Sequence, residues 1–248
     1  MEEKTRNELE EKAKQLRRKV LEMALKTGEG HLGGSFSEIE IITALYNKVL
    51  CGEDKFILSK GHSCYPLYFS LREKCKNPEI CAHPNMDVEN GLVCTTGSLG
   101  HGLPIGVGMA LARKMQNKKG KIYVLVGDGE CQEGTIWESA LLANHHKLNN
   151  LTIIVDHNKL QALDKIENVL SLGSLAEKFN AFGLEAIEVD GHNINELATA
   201  FEKNSDKTKV IIAHTIKGKG VSYMENDPKW HTRLPTPEEL EIANKELS

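Results

Sequence analysis

Residues 121–130 have the sequence KIYVLVGDGE, in which an almost unbroken apolar run ends in a glycine–aspartate–glycine turn. A short continuous apolar run followed by turn residues is typical of a strand that is buried on both faces. A second apolar run, residues 151–155, is followed by Asp156, and a segment with helical character separates the two runs. Buried strands that alternate with helices predict a parallel sheet sandwiched by helices, which is an α/β fold.

The same alternation extends along the rest of the chain. Helices are expected at about 1–27, 64–74, 133–147 and 194–203, and further strands at 55–58, 184–189 and 209–213. The helices are predicted from apolar residues at a spacing of three and four, and the strands from short apolar runs between turn residues.

Two helix starts have a local signature. Ser37 and Glu40 have the spacing of a capping box, which predicts a helix over about 38–49. Thr236 followed by Pro237 predicts another helix start near the end of the chain. No internal repeat, low-complexity linker or change in composition divides the sequence, so we expect a single domain over 1–248.

Composition excludes several classes of protein. The 248 residues are 40% hydrophobic, and 31 basic against 35 acidic residues give a net charge of -4. That charge provides no general attraction to nucleic acid or to an anionic membrane. No apolar run approaches the ~18 residues that span a bilayer, and no signal peptide is visible. Six scattered cysteines without a Cys-x-x-Cys pair favour a reducing compartment over a zinc or disulfide framework, so we expect a cytoplasmic protein.

Oxygen-bearing side chains follow both central strands. Asp128 follows the first strand, and Asp156 and Asn158 follow the second. Open parallel sheets bind ligands at the carboxyl ends of their strands, and Mg²⁺ prefers oxygen ligands that often include phosphate. The glycines beside Asp128 let the backbone approach such a phosphate. Taken alone, the Gly-Asp-Gly turn is a weak signal that more often marks a structural turn than a metal site.

The longer pattern resembles the thiamine diphosphate motif of thiamine-dependent enzymes. It consists of Gly127-Asp128-Gly129, a helix, a strand and then Asn158. The resemblance implies a thiamine diphosphate-binding fold of the PP type. It also implies that Asp128, Asn158 and the main-chain carbonyl of Leu160 hold a metal ion on the diphosphate. Mg²⁺ is the expected ion, with Ca²⁺ and Mn²⁺ as alternatives.

Further segments resemble transketolases in particular and follow one another in the same order. They are GHLGGS at 30–35, LSKGH at 58–62, HP at 83–84, TTGSLGHG at 95–102, KGKG at 217–220 and KWH at 229–231. An ordered set over nearly the whole chain is far more specific than any one of its members. The resemblance implies a transketolase, which transfers a two-carbon ketol group reversibly from a ketose to an aldose.

The resemblance also assigns roles to individual residues. His31, His83 and His231 are expected to be catalytic, because they would surround the reacting carbons, move protons and bind sugar hydroxyls. The expected cofactor-binding residues are His62, Gly97, Ser98, Leu99, Asp128, Gly129, Glu130, Asn158, Lys217 and His231.

Other polar residues receive weaker assignments. Glu133 and Glu138 are expected at an interface with a partner chain. Lys60 either neutralises phosphate or is simply solvated. The remaining histidines are expected to be structural, apart from His101, whose role is left open: His145, His146, His157, His192 and His214.

A partner chain is the expected source of the remaining active-site groups. In full-length transketolases, a second domain supplies a glutamate that activates the aminopyrimidine ring of the cofactor, and a C-terminal domain follows. No counterpart of either is expected within 1–248. Leu32 and Ser98 replace common prolines and resemble two-subunit transketolases. We therefore expect a C-terminal transketolase subunit in an α2β2 heterotetramer that acts on sugars or sugar phosphates.

Two other functions remain open from the sequence. A 1-deoxyxylulose-phosphate synthase-like or 2-oxo acid thiamine enzyme would share the metal motif, but the histidine set favours transketolase. A non-catalytic regulatory half would share the fold, but intact Asp128 and Asn158 argue against it. The sugar itself is open, whether a pentose phosphate, a branched sugar phosphate or a sulfosugar.

Overall fold

The computed structural model describes residues 2–162 and 164–248 and has a five-stranded parallel sheet between two layers of helices. The strand order is β1-β2-β3-β5-β4, and every neighbouring pair is parallel. The strands are β1 (Lys55–Leu58), β2 (Ile122–Gly127), β3 (Leu151–His157), β4 (Glu185–Asp190) and β5 (Lys209–His214). This confirms the predicted α/β fold, with each of the five strands within a few residues of its expected position.

Ten α-helices lie in the described part of the chain. They are α1 (Glu3–Thr27), α2 (Leu32–Ser37), α3 (Ile39–Ala44), α4 (Tyr65–Glu73), α5 (Gly102–Met115), α6 (Gly134–His145), α7 (Ile166–Leu170), α8 (Leu175–Ala181), α9 (Ile194–Glu202) and α10 (Pro237–Glu246). The capping box that starts α10 is present, with Thr236 and Glu239 each bonded to the other's backbone. None of these helices has the length and apolarity needed to cross a membrane.

Two apolar cores form, one on each face of the sheet. Side chains alternate along β2, so that Tyr123 and Leu125 join the core under α1, α3, α4 and α9. Val124 and Val126 point the other way and join the core under α5, α6 and α8. Because both faces are covered, the central strands are apolar over most of their length, which is the pattern from which the parallel sheet was predicted.

The helix predicted over about 38–49 is present, as α3 followed directly by a π-helical turn over Leu45–Val49, but it does not begin with the predicted capping box. A helix already begins at Leu32, directly after His31, and the chain has only a local break at Glu38 before α3 continues. Ser37 caps nothing, because its hydroxyl donates to the Gly34 carbonyl at 2.9 Å and to the Asp156 carboxylate at 2.6 Å. The capping-box spacing was coincidental, and the hydroxyl instead links α2 to the end of β3.

All six cysteines lie in the described residues and are free thiols. Cys64 and Cys131 are buried, whereas Cys51 and Cys75 are exposed. Burial raises the pKa of the Cys131 thiol well above its ordinary value. The buried pair therefore behaves as small apolar side chains within the core.

Candidate active site

The ends of β2 and β3 lie side by side at the carboxyl edge of the sheet. Gly127 is the register partner of Asp156, and the Asp128 N–H donates to the Asp156 carbonyl at 3.2 Å. Both strands therefore deliver their following residues to one place, which is where parallel sheets bind ligands. The structure brings Asp128 and Asn158 together there.

Three oxygen-bearing groups surround this junction. The Asp128 carboxylate accepts from the N–H of Gly129 at 2.8 Å and from that of Lys159 at 2.5 Å. Asn158 Oδ1 accepts from the N–H of Leu160 at 3.1 Å. Lys159 has a φ of 66°, in the left-handed region, and it reverses the chain so that Leu160 returns to the cavity that Asn158 lines.

Four histidines from four separate segments converge beside these groups. The ring centroid of His31 lies 5.1 Å from that of His62, 4.9 Å from that of His231 and 6.2 Å from that of His83. Burial lowers the pKa of His31, His62 and His231, in the last case to about 4. These three imidazoles are therefore neutral near pH 7, and each offers one N–H donor and one acceptor.

A cavity of about 400 Å³ collects most of the predicted site. Its lining includes His31, His62, His83, Gly97, Leu99, Asp128, Gly129, Glu130, Glu133, Asn158, Leu160, Lys217 and His231. Ser98 is exposed and lies outside this lining, and so is Glu138 on the outer face of α6. A second cavity of about 660 Å³ shares Asp128, Asn158 and Leu160 but is lined by none of the four histidines.

Glu130 anchors the loop at 95–101 beside the cavity. Its carboxylate accepts from the N–H of Gly100 at 2.8 Å, from the N–H of Gly127 at 3.0 Å and from the Ser59 hydroxyl. These contacts occupy the side chain, so the predicted contact of Glu130 with a cofactor would fall to its backbone. In the same loop Gly97 has a φ of 136°, and a Cβ there would lie 2.7 Å from the His83 ring.

Lys60 forms a buried ionic cluster with Glu38 and Asp156. Its ammonium group contacts Glu38 Oε2 at 3.0 Å, the Gly34 carbonyl at 3.0 Å and Asp156 Oδ2. Lys60 is 2% exposed, and the two carboxylates are fully buried. Lys60 is therefore not solvated, because its charge is matched by two carboxylates inside the protein; it also lines the cavity, and its contact with phosphate stays a prediction. Burial raises the pKa of Glu38 to about 8, whereas Lys60 holds that of Asp156 below its usual range against the effect of burial.

Lys217 lies on the loop after β5 and lines the cavity. It is 2% exposed, and its ammonium group donates to the Gln161 carbonyl at 2.9 Å. Burial, together with the nearby charge of Lys60, lowers the pKa of Lys217 to about 8. A buried cation that contacts only a carbonyl favours an anionic ligand.

A second buried network of hydrogen bonds and an ion pair fixes the loop after β5. His192 Nε2 accepts from the Ile216 N–H at 2.8 Å, so the proton of the ring lies on Nδ1, which is 2.9 Å from Glu40. Arg17 pairs with Glu40 at 2.7 Å and donates to the Lys219 carbonyl at 2.8 Å. The structural role expected for His192 thus includes fixing the segment on both sides of Lys217.

Sequence reasoning missed the polar residues that support the site from below. Glu38 and Arg17 were given no role, Glu40 was assigned only to a capping box, and Asp156 was noted only as an oxygen-bearing side chain at the strand end. For Asp156 a signal existed, because side chains two apart in a strand share a face and Asp156 precedes Asn158 by two residues. For the others no sequence signal was available, since their partners lie in distant segments.

The unfolding free energy of a His231→Gln variant is expected to rise relative to that of the wild type as the pH falls from 7 to about 5. His231 titrates at about 4 in the folded chain against an ordinary value of 6.5. In that interval the unfolded wild type binds a proton that the folded state does not, and stability is lost. The raised pKa values of Asp128 and Glu38 act in the opposite direction, but they are common to both proteins.

Urea titrations at several pH values measure this difference. The matched control is His145→Gln, which removes an exposed histidine at the end of α6. A difference between His231→Gln and the wild type that does not change with pH would contradict the burial of a neutral His231.

Comparison with known proteins agrees with this geometry. The family "Transketolase, thiamine diphosphate binding domain" matches residues 9–247. One subunit of the apulose-4-phosphate transketolase from Actinobacillus succinogenes is 40% identical over 97% of this chain and 96% of its own length. One subunit of the 6-deoxy-6-sulfo-D-fructose transketolase from Clostridium sp. is 35% identical over 97% of this chain and 96% of its own.

The solved structures agree as well. The crystal structure of Campylobacter jejuni transketolase superposes with a TM-score of 0.85 at 29% identity, over 96% of this chain. This chain spans 42% of that longer protein. Fold, motif order and relatives therefore lead to one conclusion: the chain belongs to the transketolase family, as a thiamine diphosphate-binding N-terminal unit.

Proposed function

We propose that this chain is the cofactor-holding half of a two-chain transketolase. It would bind thiamine diphosphate with a divalent metal and take part in moving a two-carbon ketol group from a ketose to an aldose. The observation that carries the proposal is the meeting of His31, His62, His83 and His231 in one cavity with Asp128 and Asn158. These side chains come from distant segments, and a purely structural turn would not require them to meet.

The oxygen ligands at the cavity fit a hard cation. Burial, with Asp156 nearby, raises the pKa of Asp128 to about 7, so the folded chain disfavours this carboxylate as an uncompensated anion. Among the described residues no three His, Cys, Asp or Glu side chains are grouped to hold a metal. A metal here would therefore take Asp128 with the Asn158 amide oxygen and the Leu160 carbonyl, and that set suits Mg²⁺, with Ca²⁺ or Mn²⁺ as alternatives.

Other groups at the cavity fit a diphosphate. His231 Nδ1 and Gln161 Nε2 are buried without a hydrogen-bond partner within the described residues. Lys217 adds a buried positive charge at the same cavity. Buried polar atoms are normally satisfied, so these groups indicate a ligand with anionic oxygens. Gln161 is an addition to the binding residues expected from the sequence.

The chain's own residues would orient a sugar and move protons. When bound, thiamine diphosphate supplies an electron sink for breaking and forming a carbon–carbon bond. His31, His83 and His231 would hold the sugar hydroxyls, because an imidazole ring carries two nitrogens that can bond to different hydroxyls and move a proton between them. His62 is more deeply buried and would donate to a phosphate oxygen.

A second chain would complete the site. Relatives of nearly the same length are named as subunits, and this chain matches 42% of the single-chain transketolase from Campylobacter jejuni. Glu133 is exposed at the rim of the cavity, where a partner residue could reach it. Glu138 shares an outer face of α6 with Leu141 and Leu142, which are 57% and 51% exposed. This exposed apolar face would suit contact with the C-terminal subunit in an α2β2 complex.

The most specific part of the proposal is the class of sugar on which the complex acts. One group of relatives is named for apulose 4-phosphate and another for 6-deoxy-6-sulfo-D-fructose. The relative named for apulose 4-phosphate is 40% identical to this chain and the one named for the sulfosugar is 35% identical. We take the higher identity to favour a branched sugar phosphate as the substrate, over the sulfosugar and the ordinary pentose phosphates. The free thiols fit a reducing cytoplasm as the place of reaction.

Ketol transfer is expected only when both chains are mixed. The assay contains thiamine diphosphate, Mg²⁺ and an aldose phosphate acceptor, with apulose 4-phosphate, xylulose 5-phosphate or the sulfosugar as donor. The second chain in the assay is a transketolase C-terminal subunit. Activity should rise to a plateau as one chain is titrated with the other, since each supplies part of the site.

The controls separate the parts of the proposal. Each chain alone should be inactive, and activity of this chain alone would contradict the two-chain site. Consumption of pyruvate in place of a ketose would favour a 1-deoxyxylulose-phosphate synthase-like enzyme. Cofactor binding without transfer from any of the three donors would argue for a regulatory half.

A further inference from the structure

Asp156 lies directly behind the groups that would hold the metal. It is the penultimate residue of β3, its side chain is 0% exposed, and four side chains donate to its two oxygens. Oδ2 accepts from the Ser37 hydroxyl at 2.6 Å, from the Lys60 ammonium group and from Asn158 Nδ2 at 3.2 Å. Oδ1 accepts from the Thr215 hydroxyl. The carboxylate is therefore engaged within the protein and is not placed to be a metal ligand itself.

The contact with Asn158 fixes which end of the amide faces the cavity. An asparagine amide has a donor end and an acceptor end of almost the same shape, whereas a carboxylate only accepts. With Asp156 at 3.2 Å, the NH₂ group of Asn158 must point toward it. A flipped amide would set its oxygen against the carboxylate, which is repulsive. Oδ1 therefore points away, toward the Leu160 N–H at 3.1 Å.

Lys60 makes a buried carboxylate tolerable in this position. An ionised group without a partner is too costly to bury, but the Lys60 ammonium group contacts Asp156 and lies in a cluster that is almost completely buried. Ser37 and Thr215 occupy further lone pairs and come from α2 and from the loop after β5. Three segments thus hold the carboxylate at one place and in one orientation.

We propose that Asp156 is a positioning residue that selects the amide orientation of Asn158 and so presents a carbonyl oxygen, and not an NH₂ group, to the divalent metal. This inference rests on the proposed function, because it assumes a cation at Asp128 and Asn158. An NH₂ group cannot ligate a cation, so loss of the selection removes one metal ligand for part of the time.

The test is a cycle of variants at positions 156 and 158 in the two-chain complex with thiamine diphosphate. Free Mn²⁺ is measured by electron paramagnetic resonance. Asp156→Asn is expected to weaken Mn²⁺ binding about 10- to 100-fold, as loss of a residue supporting a metal ligand commonly does. In an Asn158→Asp background the side chain at 158 has two equivalent oxygens, so orientation no longer matters. There, Asp156→Asn is expected not to weaken binding.

Thr208→Val is the matched control, because it removes a buried hydroxyl that donates to the Leu148 carbonyl and makes no contact with Asp156 or Asn158. Its Mn²⁺ affinity should resemble that of the wild type. Equal affinity in the wild type and Asp156→Asn would overturn the inference, and so would an equal loss in both backgrounds with a lowered melting temperature, which indicates general damage. Failure of the wild type itself to bind Mn²⁺ would instead contradict the proposed function.

Discussion

Replacing Asp128 by alanine is expected to lower ketol transfer by the two-chain complex at least about 1000-fold. Asp128 is the only carboxylate in the ligand set proposed for the metal, and its carboxylate lies at the edge of the cavity. Loss of a bound divalent ion removes several kcal/mol of charge stabilisation, and each ~1.4 kcal/mol corresponds to a tenfold change in rate. Metal-dependent binding of thiamine diphosphate, measured by calorimetry, should be lost in parallel.

The stability of this variant separates a functional from a structural role. Since the folded chain raises the pKa of Asp128 to about 7, ionising this carboxylate costs stability in the metal-free chain near pH 7. The Asp128→Ala chain loses that cost together with the bonds from the Gly129 and Lys159 N–H groups, so its unfolding free energy without metal should stay within about 1 kcal/mol of the wild-type value. The control is Asp206→Ala, which removes an exposed carboxylate from a loop and should keep full activity. An Asp128→Ala complex with more than a tenth of wild-type activity would contradict the metal assignment.

Replacing Lys60 by methionine is expected to cost about 3–5 kcal/mol of unfolding free energy. The change removes the cation that Glu38 and Asp156 share, and both carboxylates are fully buried. Removing Lys60 leaves the buried Asp156 carboxylate, together with the ionised fraction of Glu38, without its ion-pair partner. Urea unfolding of the chain near pH 7, analysed by linear extrapolation, measures the loss.

Lys19→Met is the matched control for this prediction. Lys19 pairs with Glu73 at 3.3 Å, but the two side chains are 43% and 44% exposed. Exposed pairs contribute about 0–1 kcal/mol, so this variant should be close to the wild type. A loss of less than about 1 kcal/mol in Lys60→Met would show that the cluster is hydrated in solution and is not the closed ionic group described above.

The sheet could be predicted because its strands are buried on both faces. Apolar runs at β2, β3 and β5 need no knowledge of their neighbours, since almost every side chain in them is enclosed. The helix α5 was not predicted, although it packs on β2. Its sequence, GLPIGVGMALARKM, contains three glycines and a proline, which are poor helix formers. Close packing overrides this preference, since a Cβ at Gly106 would collide with the Val124 side chain.

The candidate site was predictable only where a motif marks it. Asp128, Asn158 and the four histidines lie in short segments whose order resembles one family, and the structure brings them to one cavity. No sequence motif identifies the residues that support the site. Glu38 lies beside an apolar helix, and its partner Lys60 is a lysine of ordinary appearance in a loop. Their pairing depends on folding three segments together, which no local pattern reveals.

The central claim is that Asp128, Asn158 and Leu160 hold a divalent metal on a bound thiamine diphosphate. The most direct test is an anomalous difference map from crystals of the two-chain complex grown with thiamine diphosphate and Mn²⁺. A peak is expected between the Asp128 carboxylate, Asn158 Oδ1 and the Leu160 carbonyl, with diphosphate density beside Lys217. Clear cofactor density with the metal peak at other residues, or with no peak at this junction, would contradict it.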